Sequence, residues 1–214
     1  MIRILVVLFS LFPVFAMAGA DPAGIGVDTL AIMPFGNALQ PIHPKLTGND
    51  IAACELIGIC VWENINTGPE KVTKYFYLDL AGKLGGKVIA QERVDSLFKE
   101  FVPTEHATLR DAAMGFGQMA GVSHVLVGTV WRYEDRVGSS MSVDQPASVA
   151  FSALLIRVAD GNVLWTGRFD KTQTALSENI VDAPIFFKKG LKWLTVEELT
   201  AYGVERLVNG MILR

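Results

Sequence analysis

The sequence predicts an α/β (α+β) layered sandwich, in which a central mixed sheet of about five strands carries helices on both faces and a helix follows at the C-terminal end. Two observations predict this class. Strand and helix patterns alternate in the first half of the chain, whereas three strand patterns follow one another from His124 onward. The stretch 151–156 is also nearly apolar on both alternating faces, as expected for a central strand that is covered on each side.

The composition excludes several classes of protein. The chain has 214 residues, of which 50% are hydrophobic, and this fraction excludes intrinsic disorder. A net charge of −3, from 19 basic and 22 acidic residues, argues against a nucleic-acid binder, which usually carries a basic surplus. Three histidines and two cysteines leave little material for a metal site. We expect no cofactor.

The first element is a predicted signal peptide at residues 1–20. A basic start is followed by an uncharged apolar run, 4–15, and by the small-x-small pattern that signal peptidase recognises at 16–18. The run is shorter than the ~20 residues that a helix needs to cross a bilayer. We expect cleavage after Ala18 or Ala20 and a single domain at 21–214. The alternatives are an N-terminal membrane anchor and a buried core helix.

Export determines the expected location of the mature chain. A lipoprotein signal needs a cysteine at the cleavage point, but the first cysteine is Cys54. We therefore expect a periplasmic protein without a lipid anchor, associated with a membrane at most peripherally.

Five elements are predicted in the first half of the mature chain. An apolar run predicts a buried strand, turn residues then predict a long irregular excursion, and a three- and four-residue apolar spacing predicts a helix that ends at two glycines. A further strand and a short helix follow. In order, these are the strand 29–33, the excursion 36–68, the helix from Pro69 to Gly85, the strand 87–90 and the helix from Asp95 to before Pro103.

The second half is predicted to contain two capped helices around three strands. Thr108 to Asp111 resembles a capping box that opens a helix, which Gly121 is placed to close. The three strands lie within 124–135, 147–160 and 162–174, and Asp160-Gly161 predicts a hairpin between the last two. A second capping box, at 195–198, opens the last helix.

The two cysteines predict a disulfide. Cys54 and Cys60 lie six positions apart in a chain that we expect to reach an oxidising compartment. Closing this loop would stabilise the fold by about 2 kcal/mol. The alternative is two buried free thiols, and the mass after alkylation with and without reduction distinguishes the two.

No motif predicts catalysis. The glycines of 82–87 end a helix before a strand, which is the reverse of a phosphate-binding loop, and their spacing also differs from the Walker pattern. His43, His106 and His124 have no nucleophile or carboxylate at a spacing that implies a shared site. We therefore expect a protein that is not an enzyme, with no catalytic, cofactor-binding or metal-binding residues.

One segment before the last helix predicts partner binding. Aromatic side chains beside lysines suit an interface or a membrane surface, because both an apolar body and a charged tip are accommodated there. The candidate residues are Phe186, Phe187, Lys188, Lys189 and Trp193. The alternative is that these aromatic residues only hold the connection against the core.

Four stretches, taken in order, resemble one family. They are the strand 29–36 (similar to "AVLPF"), the stretch 87–102 with its Glu-Arg pair, the stretch 119–136 with its "GTV" strand, and the hairpin 149–171 (similar to "V..R..D..TGEVLW.G"). This order resembles the periplasmic domain shared by the curli-export protein CsgG, the Pel-export protein PelC and the penicillin-binding-protein activator LpoB.

The resemblance implies a three-layer α/β fold that serves envelope assembly without catalysis. Relatives act as rings or as docking partners at the outer membrane. This chain lacks the lipid-accepting cysteine typical of them and shows no pair of alternating segments of ~10 residues for membrane hairpins. We expect an accessory protein that contacts envelope or outer-membrane assembly proteins, with a possible homo-oligomer, rather than a CsgG-like pore.

Two other functions stay open at this point. A secreted glycan- or peptidoglycan-binding module could use Trp62, Trp131, Trp165 and Trp193 for stacking. An exported hydrolase would depend on His106 or His124.

Overall fold

A five-stranded mixed sheet forms the centre of the computed structural model, which describes residues 24–37, 68–103, 108–174 and 192–214. β1 and β2 both run parallel to β3, and the strands β3, β6 and β7 are antiparallel neighbours in that order. β4 and β5 form a separate hairpin. The strands are β1 (Leu30–Ile32), β2 (Gly36–Asn37), β3 (His124–Glu134), β4 (Val137–Gly138), β5 (Val143–Gln145), β6 (Ser148–Arg157) and β7 (Val163–Thr172).

Four described helices cover the two faces of this sheet, in pairs. α1 and α4 contribute to the hydrophobic cluster on one face, and α2 and α3 contribute to the cluster on the other face. The helices are α1 (Pro69–Leu84), α2 (Gln91–Glu100), α3 (Leu109–Ala120) and α4 (Val196–Gly210). The predicted layered sandwich, with a mixed sheet of five strands and a helix at the C-terminal end, is therefore confirmed.

β6 shows why the sheet needs helices on both faces. Phe151 and Leu155 point to the cluster beneath α1 and α4, whereas Leu154 and Ile156 point to the cluster beneath α2 and α3. All four side chains are buried. The strand that the sequence predicts to be central lies between β3 and β7.

The helix and turn signals act where the sequence predicts them. Both capping boxes form, at Thr108 before α3 and at Thr195 before α4. Gly121 ends α3 in the left-handed region, with φ of 69°. Gly161 has φ of 68° in the turn between β6 and β7, a conformation that favours glycine.

The stretch between α1 and α2 differs from the prediction. The expected strand 87–90 is reduced to one parallel bridge between Val88 and Leu30, because a 3₁₀ turn occupies Gly85–Lys87 and α2 already begins at Gln91. The expected start of this helix at Asp95 was therefore four residues too late. The short strand β2 and the β4–β5 hairpin were not predicted. Residues 38–67, most of the predicted excursion, lie outside the described residues.

The two ends of the described chain pair with each other. The Ile25 N–H donates to the Ile212 carbonyl at 2.7 Å, and the Arg214 N–H donates to the Ile25 carbonyl at 3.1 Å. The Val27 N–H donates to the Arg214 carbonyl at 3.0 Å. These bonds fasten the segment after α4 beside the segment that leads into β1.

Candidate interaction surfaces

Of the predicted partner-binding residues, the structure describes Trp193. Phe186, Phe187, Lys188 and Lys189 lie outside the described residues, and so do Cys54 and Cys60 of the predicted disulfide. These interpretations therefore stay predictions. Trp193 lies between β7 and α4 and is partly buried.

The backbone of Trp193 is held from both sides. Its N–H donates to the Ser140 carbonyl at 2.9 Å, and its carbonyl accepts a hydrogen bond from the Arg136 guanidinium. Ser140 belongs to the connection between β4 and β5, and Arg136 lies just before β4. The hairpin and the segment of Trp193 therefore form one surface, which we call the Trp193 platform.

The residues beside Trp193 are fixed by a buried amide. Gln173 is 1% exposed, and its Nε2 donates to the Lys192 carbonyl at 3.1 Å while its Oε1 accepts from the Leu194 N–H at 2.8 Å. The amide thus pairs with the Lys192 carbonyl and the Leu194 N–H, two backbone groups that no described strand or helix pairs. Sequence reasoning missed Gln173, because a lone glutamine after a strand gives no signal.

The start of α4 completes the platform. Thr195 and Glu198 form the capping box, and Asp135 Oδ1 accepts from the Val196 N–H at 2.9 Å. Lys192 also bridges to Glu198 at 2.6 Å. Asp135 therefore receives a first-turn N–H of α4, where negative charge is favourable.

The β4–β5 hairpin presents apolar side chains to solvent. Val137 is 52% exposed and Met141, at the tip, is 82% exposed. The tip is ordered by Ser139, whose Oγ accepts from the backbone N–H groups of Met141 and Ser142 at 3.2 and 3.1 Å. An exposed apolar tip on a hydrogen-bonded support is a surface for binding, and it holds no reactive group.

A second surface is a groove between α1 and α2, which we call the α1–α2 groove. Its volume is about 600 Å³. Pro34 and Phe35 form part of it, at the connection between β1 and β2. Its remaining lining residues come from the two helices: Glu70, Thr73, Lys74, Tyr77 and Leu78 of α1, and Gln91, Glu92 and Asp95 of α2.

A cleft of about 790 Å³ is lined in part by His124. The imidazole is 5% exposed, and its Nδ1 lies 2.8 Å from Ser123 Oγ. Burial lowers the pKa of His124, the nearby Arg157 lowers it further, and the carboxylates of Asp28 and Asp160 act weakly in the opposite direction. The ring is therefore neutral around pH 7.

The Ser123–His124 pair is built for support rather than for hydrolysis. The Ser123 hydroxyl accepts from the Thr29 N–H at 3.0 Å and lies 2.9 Å from the Thr29 carbonyl, to which it can donate. It thereby ties the start of β3 to the start of β1. A nucleophile needs a hydroxyl directed at a substrate, and this one is directed at the backbone. His106 lies outside the described residues.

Among the described tryptophans, Trp131 is a poor stacking platform for a glycan. Trp131 is 2% exposed, with the Arg168 guanidinium 5.7 Å from its ring centroid. Trp165 lies against Gly167 and is partly buried, and Trp62 lies outside the described residues. Within the described ranges, no group of three His, Cys, Asp or Glu residues could hold a metal ion.

No family model matches this sequence, and no curated protein matches it. Solved structures do match. A PelC dodecamer from Paraburkholderia phytofirmans is 14% identical, covers 91% of this chain and 96% of its own, and has a TM-score of 0.51. Another PelC dodecamer structure from the same organism has 12% identity, coverage of 88% and 89%, and a TM-score of 0.48. The LpoB C-terminal domain from Salmonella enterica is 15% identical, covers 71% of this chain and 87% of its own, and has a TM-score of 0.40.

At these identities the likeness concerns the fold alone. The chain has the layered fold of PelC over nearly the full length of both proteins. None of the helices in the described part is both long and apolar enough to span a bilayer.

Proposed function

We propose that this chain is a non-catalytic periplasmic accessory protein of cell-envelope assembly or outer-membrane export, which acts through protein contacts or by assembling into a ring. The observation that carries the proposal is the fold shared with PelC, at a TM-score of 0.51 over 91% of this chain. That structure is a dodecamer, and the same kind of self-assembly is proposed here.

Two features of the described surface support a role in binding. Met141 and Val137 expose apolar side chains on a hydrogen-bonded hairpin, and exposed apolar clusters mark interaction sites. The one described histidine is buried beside a serine whose hydroxyl is bonded to the backbone. Both favour recognition over catalysis.

Export is tested by fractionation. When the chain is expressed in a Gram-negative host, we expect to find it in the periplasmic fraction. Its intact mass should be that of a chain that begins at Gly19 or Asp21. Full-length chain that keeps Met1 in the cytosol would contradict the proposal.

Partner binding is tested by cross-linking in the envelope fraction, followed by identification of the captured proteins. Met141→Lys places a charge on the exposed tip of the hairpin, where it should leave the fold intact. We expect this variant to lose captured envelope proteins, because a desolvated lysine opposes binding at the core of an interface. Val102→Lys is the matched control, since Val102 is 62% exposed on another surface. If both variants capture the same proteins as the wild type, the platform is not the contact.

A further inference from the structure

We propose that the α1–α2 groove binds residues 186–189 of a second copy of this chain, so that copies associate head to tail. The inference rests on the proposed function, because it names the partner as another copy and locates the contact. Two features of the chain support it: the shape of the groove and its charge.

The groove has an apolar floor that one face of α1 presents. Tyr77 and Leu78 lie seven and eight residues after Glu70, and this spacing places all three on the same side of a helix. Leu78 is 51% exposed, whereas Phe35, which lies deeper, is 4% exposed. A neighbouring side of α1 faces α4, where Lys71 bridges to Glu197 at 2.7 Å. The groove and α4 therefore contact different sides of α1.

The rim of the groove is acidic. The groove is lined by three carboxylates, those of Glu70, Glu92 and Asp95, and by one ammonium group, that of Lys74. The residues at 186–189 are Phe-Phe-Lys-Lys, which supply two aromatic rings and two positive charges and no negative charge. An apolar floor with a negative rim is complementary to this sequence in both respects.

Gln91 holds the α2 side of the groove against β1. Its Nε2 donates to the Ile32 carbonyl at 3.3 Å and to Asp95 Oδ1 at 3.0 Å. Its Oε1 is buried and accepts no hydrogen bond from the described part of the chain.

The groove and the described residues that flank the segment lie at opposite edges of the sheet. The groove lies at the connection between β1 and β2, on the first edge, whereas residues 175–191 follow β7, the strand at the last edge. Gln173 and Lys192, which flank this segment, are hydrogen-bonded to each other beside β7. A contact between the groove of one copy and a different segment of the next copy is heterologous, and its repetition produces a ring or a filament.

The experiment uses two variants of the mature chain, each with one altered surface. The groove variant is Leu78→Lys with Glu92→Lys, and the segment variant is Lys188→Glu with Lys189→Glu. The control, Val102→Lys with Glu100→Lys, makes the same chemical change at exposed positions outside the groove. Circular dichroism shows that each variant is folded, and native mass spectrometry with light scattering measures its assembly.

We expect the wild type and the control to form the same oligomer. Each altered surface should weaken assembly by about a hundredfold, because like charges across a contact cost several kcal/mol. A 1:1 mixture of the groove and segment variants should associate again, because each pair contains one intact groove and one intact segment, and the altered groove and altered segment carry opposite charges.

Four results would overturn the inference. They are a wild type that stays monomeric, a groove variant that still assembles, a segment variant that still assembles, and a mixture of the two variants that stays monomeric. None of these results changes the fractionation or the cross-linking of envelope proteins, so the failure of this inference is distinct from failure of the proposed function.

Discussion

Gly128 is the residue at which the backbone of the central sheet leaves no room for a side chain. It lies in β3, and a Cβ atom built there would overlap the Phe35 ring and the Ser152 carbonyl oxygen of β6. A ring can shift, but a carbonyl in a paired central strand cannot. We expect Gly128→Ala to lower the free energy of unfolding by about 1–3 kcal/mol.

Gly82→Ala is the matched control for this substitution. Gly82 lies within α1, and nothing stands within 4 Å of a Cβ atom built there. Alanine in a helix should raise the free energy of unfolding by about 0.5–1 kcal/mol. Urea unfolding measures both variants. Equal effects at the two positions would show that the close approach at Gly128 has no energetic consequence.

The buried imidazole of His124 makes stability depend on pH. Its pKa is lowered in the folded protein, first by burial and then by Arg157, so the unfolded chain binds the proton more readily. The stabilisation is present above the ordinary histidine pKa of about 6.5 and is lost as pH falls from that value through the folded pKa. We expect the wild type to be less stable at pH 5.5 than at pH 7.5 (both pH values about one unit from the ordinary pKa).

The variant His124→Gln identifies the source of this loss. His43 and His106 stay in place in both proteins, and their contributions therefore cancel in the comparison. We expect the difference in unfolding free energy between the two pH values to shrink in the variant. An unchanged difference would assign the pH dependence to other groups.

At the scale of the elements, Lys83 of α1 connects that helix to the C-terminal end of α4. Lys83 Nζ donates to the carbonyls of Val208 and Met211 at 2.7 and 3.0 Å. A cation at the C-terminal end of a helix is favourable, and it adds to the hydrogen bond that the Val208 carbonyl accepts from the Met211 N–H at 3.1 Å. We expect Lys83→Met to lower the free energy of unfolding by about 1 kcal/mol, a modest value because the side chain is partly solvated.

Lys74→Met, on the same helix, is the control for Lys83. Lys74 is exposed and lies at the other end of α1. In thermal unfolding we expect a lower melting temperature for Lys83→Met and little change for Lys74→Met. The reverse order would contradict the role of Lys83 as a cap.

The elements that could be predicted from the sequence are those whose signals are local. Thr108 and Thr195 predict the starts of α3 and α4, because a capping box involves residues only three positions apart. Both boxes form. The strand 87–90 could not be excluded in this way. Whether Val88 extends a strand depends on Leu30, fifty-eight positions earlier, and a single bridge forms between them.

The candidate surfaces were less predictable for the same reason. Trp193 was identified from its aromatic and basic neighbours, but Gln173, Arg136 and Ser140 hold it through contacts between distant segments. No spacing in the sequence encodes such contacts. The α1–α2 groove likewise exists only once β1, α1 and α2 are packed together.

At the scale of the whole molecule, the two edges of the sheet differ in how they are covered. On the β1 edge, the Ile89 N–H and the Gln91 side chain both donate to carbonyls of β1. Within the described ranges, β7 forms the other end of the sheet. Edge strands are natural sites of association unless they are protected. The β1 edge is therefore partly covered by the segment that leads into α2.

The last prediction concerns how the domain is closed. Residues 211–214 make three backbone hydrogen bonds with 25–27, and Met211 is 1% exposed within the core. Cleavage after Ala18 or Ala20 would leave their partners, Ile25 and Val27, in the mature chain. We expect deletion of 211–214 to lower the free energy of unfolding by at least about 3 kcal/mol, since it removes a buried methionine side chain as well as these bonds.

Arg214→Ala separates the side chain from the backbone in this segment. The substitution keeps the N–H and carbonyl that pair with Ile25 and Val27, so we expect a loss below about 0.5 kcal/mol. Urea unfolding of the two variants, monitored by tryptophan fluorescence, compares them directly. If the deletion unfolds at the wild-type urea concentration, the paired ends contribute nothing to the domain. A large loss for the deletion alone would show that backbone pairing and the burial of Met211 hold the first and last described segments together.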